Sequence, residues 1–198
     1  LAFLLQTLKQ NNLNDGSVNP FKNNIDFENV GAMGHSMGGG TTYIAMLKNN
    51  EIKSGVALDG WFFGLLNEDA QTNTNKPFLH IGQEQFLDKD IEGDINFSKD
   101  GKRNFDLYNT ILATNKESYG VYIKNSLHYS YTDMKLIYNQ KAPFALPLDS
   151  LGEVDKKIVD QVMDKTVLDF FNYSLKGQPF NIKSNDTYNN QVIYNKHP

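Results

Sequence analysis

The chain has 198 residues, a formal net charge of −4 at pH 7, 39% hydrophobic and 12% aromatic residues, and no cysteine. That length supports one sizeable core without requiring a second domain, and a mild negative charge without a basic block argues against nucleic acid as a partner. The lack of cysteine excludes disulfides, thiolate metal sites and a cysteine nucleophile while leaving the redox compartment open, and no apolar run approaches the roughly 20 residues of a membrane span.

Leu1, Leu4, Leu5 and Leu8 have the i, i+3, i+4, i+7 spacing of a one-sided helix over residues 1–10. The chain opens inside that pattern without Met, which reads as a piece whose beginning lies elsewhere. Residues 11–24, with Asn-Asp-Gly and Asn-Pro steps, read as a surface loop, and residues 25–33 as a strand. The strand runs into Gly34-His35-Ser36-Met37-Gly38, and an Ala/Met/Leu-rich helix is expected over residues 37–47. Strand, G-x-S-x-G and helix in that order predict a nucleophile elbow, with Ser36 on a tight, strained turn. Gly34 and Gly38 would let the strand and the helix crowd each other there.

Residues 52–58 read as a buried parallel strand ending at Asp59-Gly60-Trp61-Phe62-Phe63, and residues 67–75 as a polar loop. Residues 77–81 form the next apolar strand, followed by Gly82-Gln83-Glu84-Gln85-Phe86. A charged loop over residues 87–103 precedes a helix over 104–114, and a short strand over 120–123 leads into Asn125-Ser126-Leu127-His128-Tyr129. An irregular or helical piece spans 133–146. A strong 3.6-period helix follows over 155–176, and Gly177 stops it. The alternation predicts a doubly wound, mostly parallel α/β sheet over residues 1–177, with 178–198 a polar, Asn-rich tail lying on the surface or disordered.

A serine hydroxyl needs a base, and the base needs an orienting group. Of four histidines, His35 lies inside the elbow and is expected to point away and pack. His80 sits mid-strand as a buried core residue, and His197 falls in the tail. His128 directly follows a strand, where parallel α/β sheets place their sites, and is the candidate base. Asp59, Glu84 and Asp88 are candidates for the acid. Asp59 is favoured because it alone is embedded in apolar sequence, where a carboxylate needs a partner. The N–H of Met37, next after the serine, is one expected oxyanion donor. Trp61, Phe62, Phe63 and Phe86 follow the two strands nearest the elbow, and Trp61, Phe62 and Phe86 are candidates to line a substrate pocket. Asp88, Asp90, Glu92 and Asp94 alternate before and after Gly93 somewhat like a calcium loop. Lys99 stands at the twelfth position, so a solvated loop is expected and no metal or cofactor. Leu136-Ile137-Tyr138 and Pro143-Phe144-Ala145-Leu146 are weighed as a lipid-touching surface against buried packing.

Gly34-His35-Ser36-Met37-Gly38-Gly39 resembles the elbow of the platelet-activating-factor acetylhydrolases, the lipoprotein-associated phospholipase type within the α/β-hydrolase superfamily. Val56-Ala57-Leu58-Asp59-Gly60-Trp61, Pro77-Phe78-Leu79-His80-Ile81 with Glu84-Gln85-Phe86, and Ser126 to Asp133 are similar to family segments, and the likeness covers about residues 25–177. The resemblance implies an α/β-hydrolase fold with its first strands, and a second oxyanion donor, lying upstream of Leu1 or supplied by another chain. It implies Ser36 as nucleophile, Asp59 as acid, His128 as base and Met37 N–H in the oxyanion hole. It also implies calcium-independent hydrolysis of carboxylic esters, of short acyl chains and of phospholipid sn-2 esters among them. The expected partners are a small-molecule or lipid ester and a possible lipid surface. A non-catalytic binding module, or a peptidase or thioesterase on the same fold, is the alternative.

Overall fold

The computed structural model describes residues 1–13, 22–87, 99–134, 152–181, 188 and 190–197. Among the described residues five strands form one sheet in sequential order: β1 (Val30–His35), β2 (Ile52–Leu58), β3 (Phe78–Gln83), β4 (Ser118–Ile123) and β5 (Val192–His197). The first four are parallel and β5 runs antiparallel to β4. Parallel neighbours need crossovers, which are provided by α2 (Met37–Lys48) between β1 and β2 and α4 (Lys99–Thr114) between β3 and β4. Besides these, α1 (Ala2–Leu13) opens the chain, α3 (Asn67–Ala70) is one turn, and α5 (Lys156–Lys176) precedes the last strand.

Period-2 alternation divides the core between the two faces of the sheet. Ala32, Ile52, Ala57, Phe78 and Tyr122 face α2 and α4, meeting Tyr43, Met46, Leu107, Tyr108 and Ile111. Val56, Leu58, Leu79, Ile81, Val121 and Ile123 face the other way, onto Val159, Val162 and Phe170 of α5. The ends of α5 follow the expected chemistry: the Asp155 carboxylate accepts from the Lys157 N–H, and Gly177 closes the helix in the left-handed region at φ 66°.

Several boundaries move for local reasons. Strand β1 begins at Val30 rather than Ile25, because Asp26 accepts from the Glu28 N–H (3.0 Å) and the Asn29 side chain (2.7 Å) and holds that segment in a turn. The expected polar loop at 67–75 contains the single turn α3, and α4 starts at Lys99, five residues before the periodic segment. The tail is corrected most. Its Val192-Ile193-Tyr194 run has strand-forming side chains and pairs along the whole of β4, from Val192 opposite Ile123 to His197 opposite Ser118. In α1 only Leu5 of the expected stripe is buried; Leu1 and Leu4 are exposed. The segments 136–138, 143–146 and 88–94 lie outside the described residues, as does Asp88.

Candidate active site

Ser36, Asp59 and His128 all follow the carboxyl ends of parallel strands, where the backbone leaves the sheet and side chains can converge. Ser36 occupies the turn between β1 and α2 at φ 58°, a left-handed conformation costly for a residue with a Cβ. Its N–H donates to the Leu58 carbonyl at 3.0 Å, and its carbonyl accepts from the Trp61 N–H at 2.8 Å, so the turn is tied at both ends to β2 and the segment after it. A Cβ on Gly34 would stand 2.3 Å from the Gly38 carbonyl, so crowding of strand and helix requires glycine at 34. At Gly38 itself a Cβ would meet nothing within 4 Å among the described residues. Further tight approaches are at Gly39, 2.9 Å from the Gly60 Cα, and at Gly40, 2.3 Å from the Trp61 carbonyl oxygen. Met37, the residue after the serine, is the first of α2, and the helix dipole favours negative charge at that end.

The side chains of the three residues form one continuous chain. Ser36 Oγ donates to His128 Nε2 at 3.0 Å, and His128 Nδ1 donates to Asp59 Oδ2 at 2.6 Å. The Asp59 carboxylate is fully buried and also accepts from the Gln83 N–H (3.2 Å, to Oδ1) and the Gln83 side-chain amide (2.8 Å, to Oδ2). Three donors around one buried carboxylate offset the cost of its burial and fix its direction. Moving the serine proton to Nε2 would create an imidazolium directly beside that carboxylate, the arrangement that activates a hydroxyl.

The loop that carries His128 is held just as specifically. The Glu84 carboxylate accepts from the Asn125 N–H at 3.1 Å, where Asn125 is at φ 57°. Ser126 Oγ donates to the Ile123 carbonyl (2.6 Å) and meets the Tyr131 hydroxyl at 2.6 Å. Glu84 therefore supports the loop that carries His128 and does not touch its ring. His35 turns toward that loop and not away from it: its ring lies 4.5 Å from that of His128, and its Nε2–H donates to the His128 carbonyl at 3.0 Å. Burial lowers the His35 pKa, which keeps a neutral ring in that place.

On the other side Trp61 stacks on the His128 ring, with centroids 4.7 Å apart and planes 17° apart, while its own side chain stays 39% exposed. Trp61 also lines several hollows. One, about 120 Å³, is lined by Asp59, Trp61, Gln83, Gln85, Phe86 and Asn104 among others. Another, about 260 Å³ and mostly apolar, runs past Met37, Ile44, Phe63 and Leu65. Of the three expected pocket residues, Trp61 and Phe86 face the first hollow. Phe62 does not, and that expectation is corrected: its ring is fully buried on the α4 side of the sheet, stacked on Tyr108, because its N–H is drawn in to the Asn104 side chain. Arg103 holds the same segment by donating to the Phe63 (2.8 Å) and Leu65 (2.7 Å) carbonyls.

His80 is buried as expected and His197 lies in β5. Sequence reasoning missed Gln83, the stacking of Trp61 and the turn of His35 toward His128. Only Gln83 had an available signal, as a polar residue ending the strand beside the one that delivers Asp59.

A sequence model of the family "Platelet-activating factor acetylhydrolase, isoform II" matches residues 6–192. The chain belongs to this family. Similar proteins include a platelet-activating factor acetylhydrolase of Gallus gallus, 30% identical over 123 residues that make up 62% of this chain and 26% of that protein. Another is that of Cavia porcellus, 24% identical over 153 residues, 77% of this chain and 31% of the relative. The chain thus spans less than a third of these relatives' length. Among solved structures, the ferulic acid esterase from Streptomyces cinnamoneus superposes with a TM-score of 0.69 at 20% identity, covering 98% of this chain and 53% of the esterase. With four parallel strands wound by helices on both faces, the architecture is that of the α/β-hydrolase fold.

Proposed function

We propose that this chain carries the nucleophile, base and acid of a serine carboxylic ester hydrolase that works through an acyl-enzyme on short-chain acyl esters, phospholipid sn-2 esters among them. The observation that carries the reading is the unbroken relay from a strained elbow serine through His128 to a buried, triply hydrogen-bonded Asp59. In this mechanism His128 removes the Ser36 proton as Oγ attacks the ester carbonyl, and Asp59 stabilises the imidazolium that forms. The Met37 N–H donates to the developing oxyanion. His128 then gives its proton to the leaving alcohol and activates a water that releases the acid from Ser36. The membership of an acetylhydrolase family supports the reaction class and a short acyl group.

The test is hydrolysis of p-nitrophenyl acetate, butyrate and decanoate by the protein and its Ser36→Ala variant. The reading predicts turnover of acetate and butyrate above decanoate, and loss of turnover in the variant. A folded S36A protein that hydrolyses these esters as fast as the parent would sink it.

A further inference from the structure

His80 lies in the middle of β3, fully buried, with the rings of Tyr108 (4.5 Å), Phe86 (4.6 Å) and Phe62 (6.0 Å) around it. An apolar ring would suit that setting better. The imidazole leaves Nδ1 with no hydrogen-bond partner among the described residues, and a buried donor without an acceptor is destabilising. What the imidazole does, and an apolar ring would not, is accept the Gly60 N–H on Nε2 at 3.2 Å. Because an amide N–H only donates, Nε2 must be unprotonated and Nδ1 carries the hydrogen. The setting enforces this state, since burial pushes the pKa down to about 4 despite the nearby Asp59.

The Gly60 N–H belongs to the peptide that follows Asp59. Asp59 itself stands at φ 44°, a strained conformation that persists only where its surroundings fix it. Its preceding peptide is anchored by the Asp59 N–H donating to the Ile81 carbonyl at 2.7 Å, and its carboxylate by Gln83. Its following peptide is anchored by His80. Three residues of β3 therefore hold Asp59 at three points. Gly82 is what admits the arrangement: a Cβ there would stand 2.4 Å from the His80 ring and 3.1 Å from Asp59 Oδ1.

We propose that His80 is a positioning residue for Asp59, using its neutral imidazole as a fixed acceptor for the Gly60 N–H so that the strained acid turn aims its carboxylate at His128. The inference rests on the ester-hydrolase reading of Ser36, Asp59 and His128. A displaced carboxylate leaves substrate contacts intact and misaligns the base, so the expected loss falls on kcat and not on KM.

The test is a double-mutant cycle with a conservative rescue. His80→Phe is expected to lower kcat for a short-chain ester by about 10- to 100-fold with KM within about twofold. His80→Gln, which restores an acceptor, should recover most of the loss. In an Asp59→Asn background His80→Phe should change kcat by less than about twofold, because the residue it serves is already disabled. Three results overturn the proposal: unchanged kcat in H80F, the same fold-loss with and without Asp59, or H80Q as impaired as H80F at equal thermal stability. If phenylalanine prevents folding, His80→Leu takes its place in the cycle. Amide exchange at Gly60 gives a readout independent of activity. Exchange at least about tenfold faster in the apolar variant than in the parent supports the anchor, and unchanged exchange overturns it, whether or not the parent hydrolyses esters.

Discussion

The ends of β2 and β3 present the same thing in sequence, an apolar strand followed within three residues by a carboxylate, and the molecule uses them differently. Asp59 leaves β2 in a strained turn, is fully buried, and meets a histidine ring and two amide donors. Glu84 leaves β3 in a short 3-10 turn, remains partly exposed and accepts a backbone N–H from the neighbouring loop. The two sites are adjacent, and β3 supplies much of what fixes Asp59. A carboxylate at the carboxyl end of a strand is therefore not enough to meet a histidine ring; what separates the two is desolvation together with enough donors to keep the carboxylate directed.

Exchanging the two carboxylates for amides breaks the comparison most sharply. Asp59→Asn should lower kcat by about 10⁴-fold, because an amide stabilises the wrong tautomer of His128 and no imidazolium. Glu84→Gln keeps an acceptor for the Asn125 N–H and should leave kcat within about threefold. Steady-state kinetics on both variants decide it, and equal losses would show that the two strand ends are not distinguished as described.

The buried histidine behind the acid turn makes the next largest difference, in stability against pH. Its folded-state pKa of about 4 lies below the ordinary 6.5, so above pH 6.5 neither state holds the proton and the contribution is complete. As pH falls from 6.5 toward 4 the unfolded chain takes up a proton that the folded chain refuses, and stability drops by about 3 kcal/mol. Urea unfolding of the parent and of His80→Phe between pH 7 and 4 should therefore give a steeper decline for the parent. Parallel declines would mean that His80 is not held neutral by its surroundings.

The smallest expected effect is at the stacked ring. Trp61→Ala removes the aromatic face against His128, worth about 1 kcal/mol, and should lower kcat about fivefold, while Trp61→Phe should stay within about twofold. The backbone N–H that holds Ser36 survives both changes, so a much larger loss in W61A would point to the segment and not the ring.

Most of what positions the site was legible in the chain. The turn at Ser36 between strand and helix, the strand 52–58, the order of the alternating elements and the placing of Asp59, not Glu84, among apolar neighbours followed from glycine spacing, apolar runs and the apolar setting of one carboxylate. What was not legible depended on contacts across the sheet or between loops. Gln83 shows in the sequence only as a polar residue at a strand end, and its reach to Asp59 depends on β3 lying beside β2. Phe62 turns into the core because Asn104, 42 residues away, draws in its N–H. The strand at 192–197 was obscured by Asn-rich flanks, since its short Val-Ile-Tyr run becomes a strand only when the free edge of β4 accepts it. His35 was misjudged for the same reason, its partner being the carbonyl of a residue 93 positions away.

The central claim is that Ser36 is a nucleophile activated through His128 by Asp59, and fluorophosphonate labelling with peptide mapping of the adduct tests it most directly. The account predicts a single phosphonylated residue, Ser36, with labelling abolished in S36A and slowed by about 10³-fold or more in D59N. A folded protein that takes no label, or whose adduct maps to another residue, would contradict it.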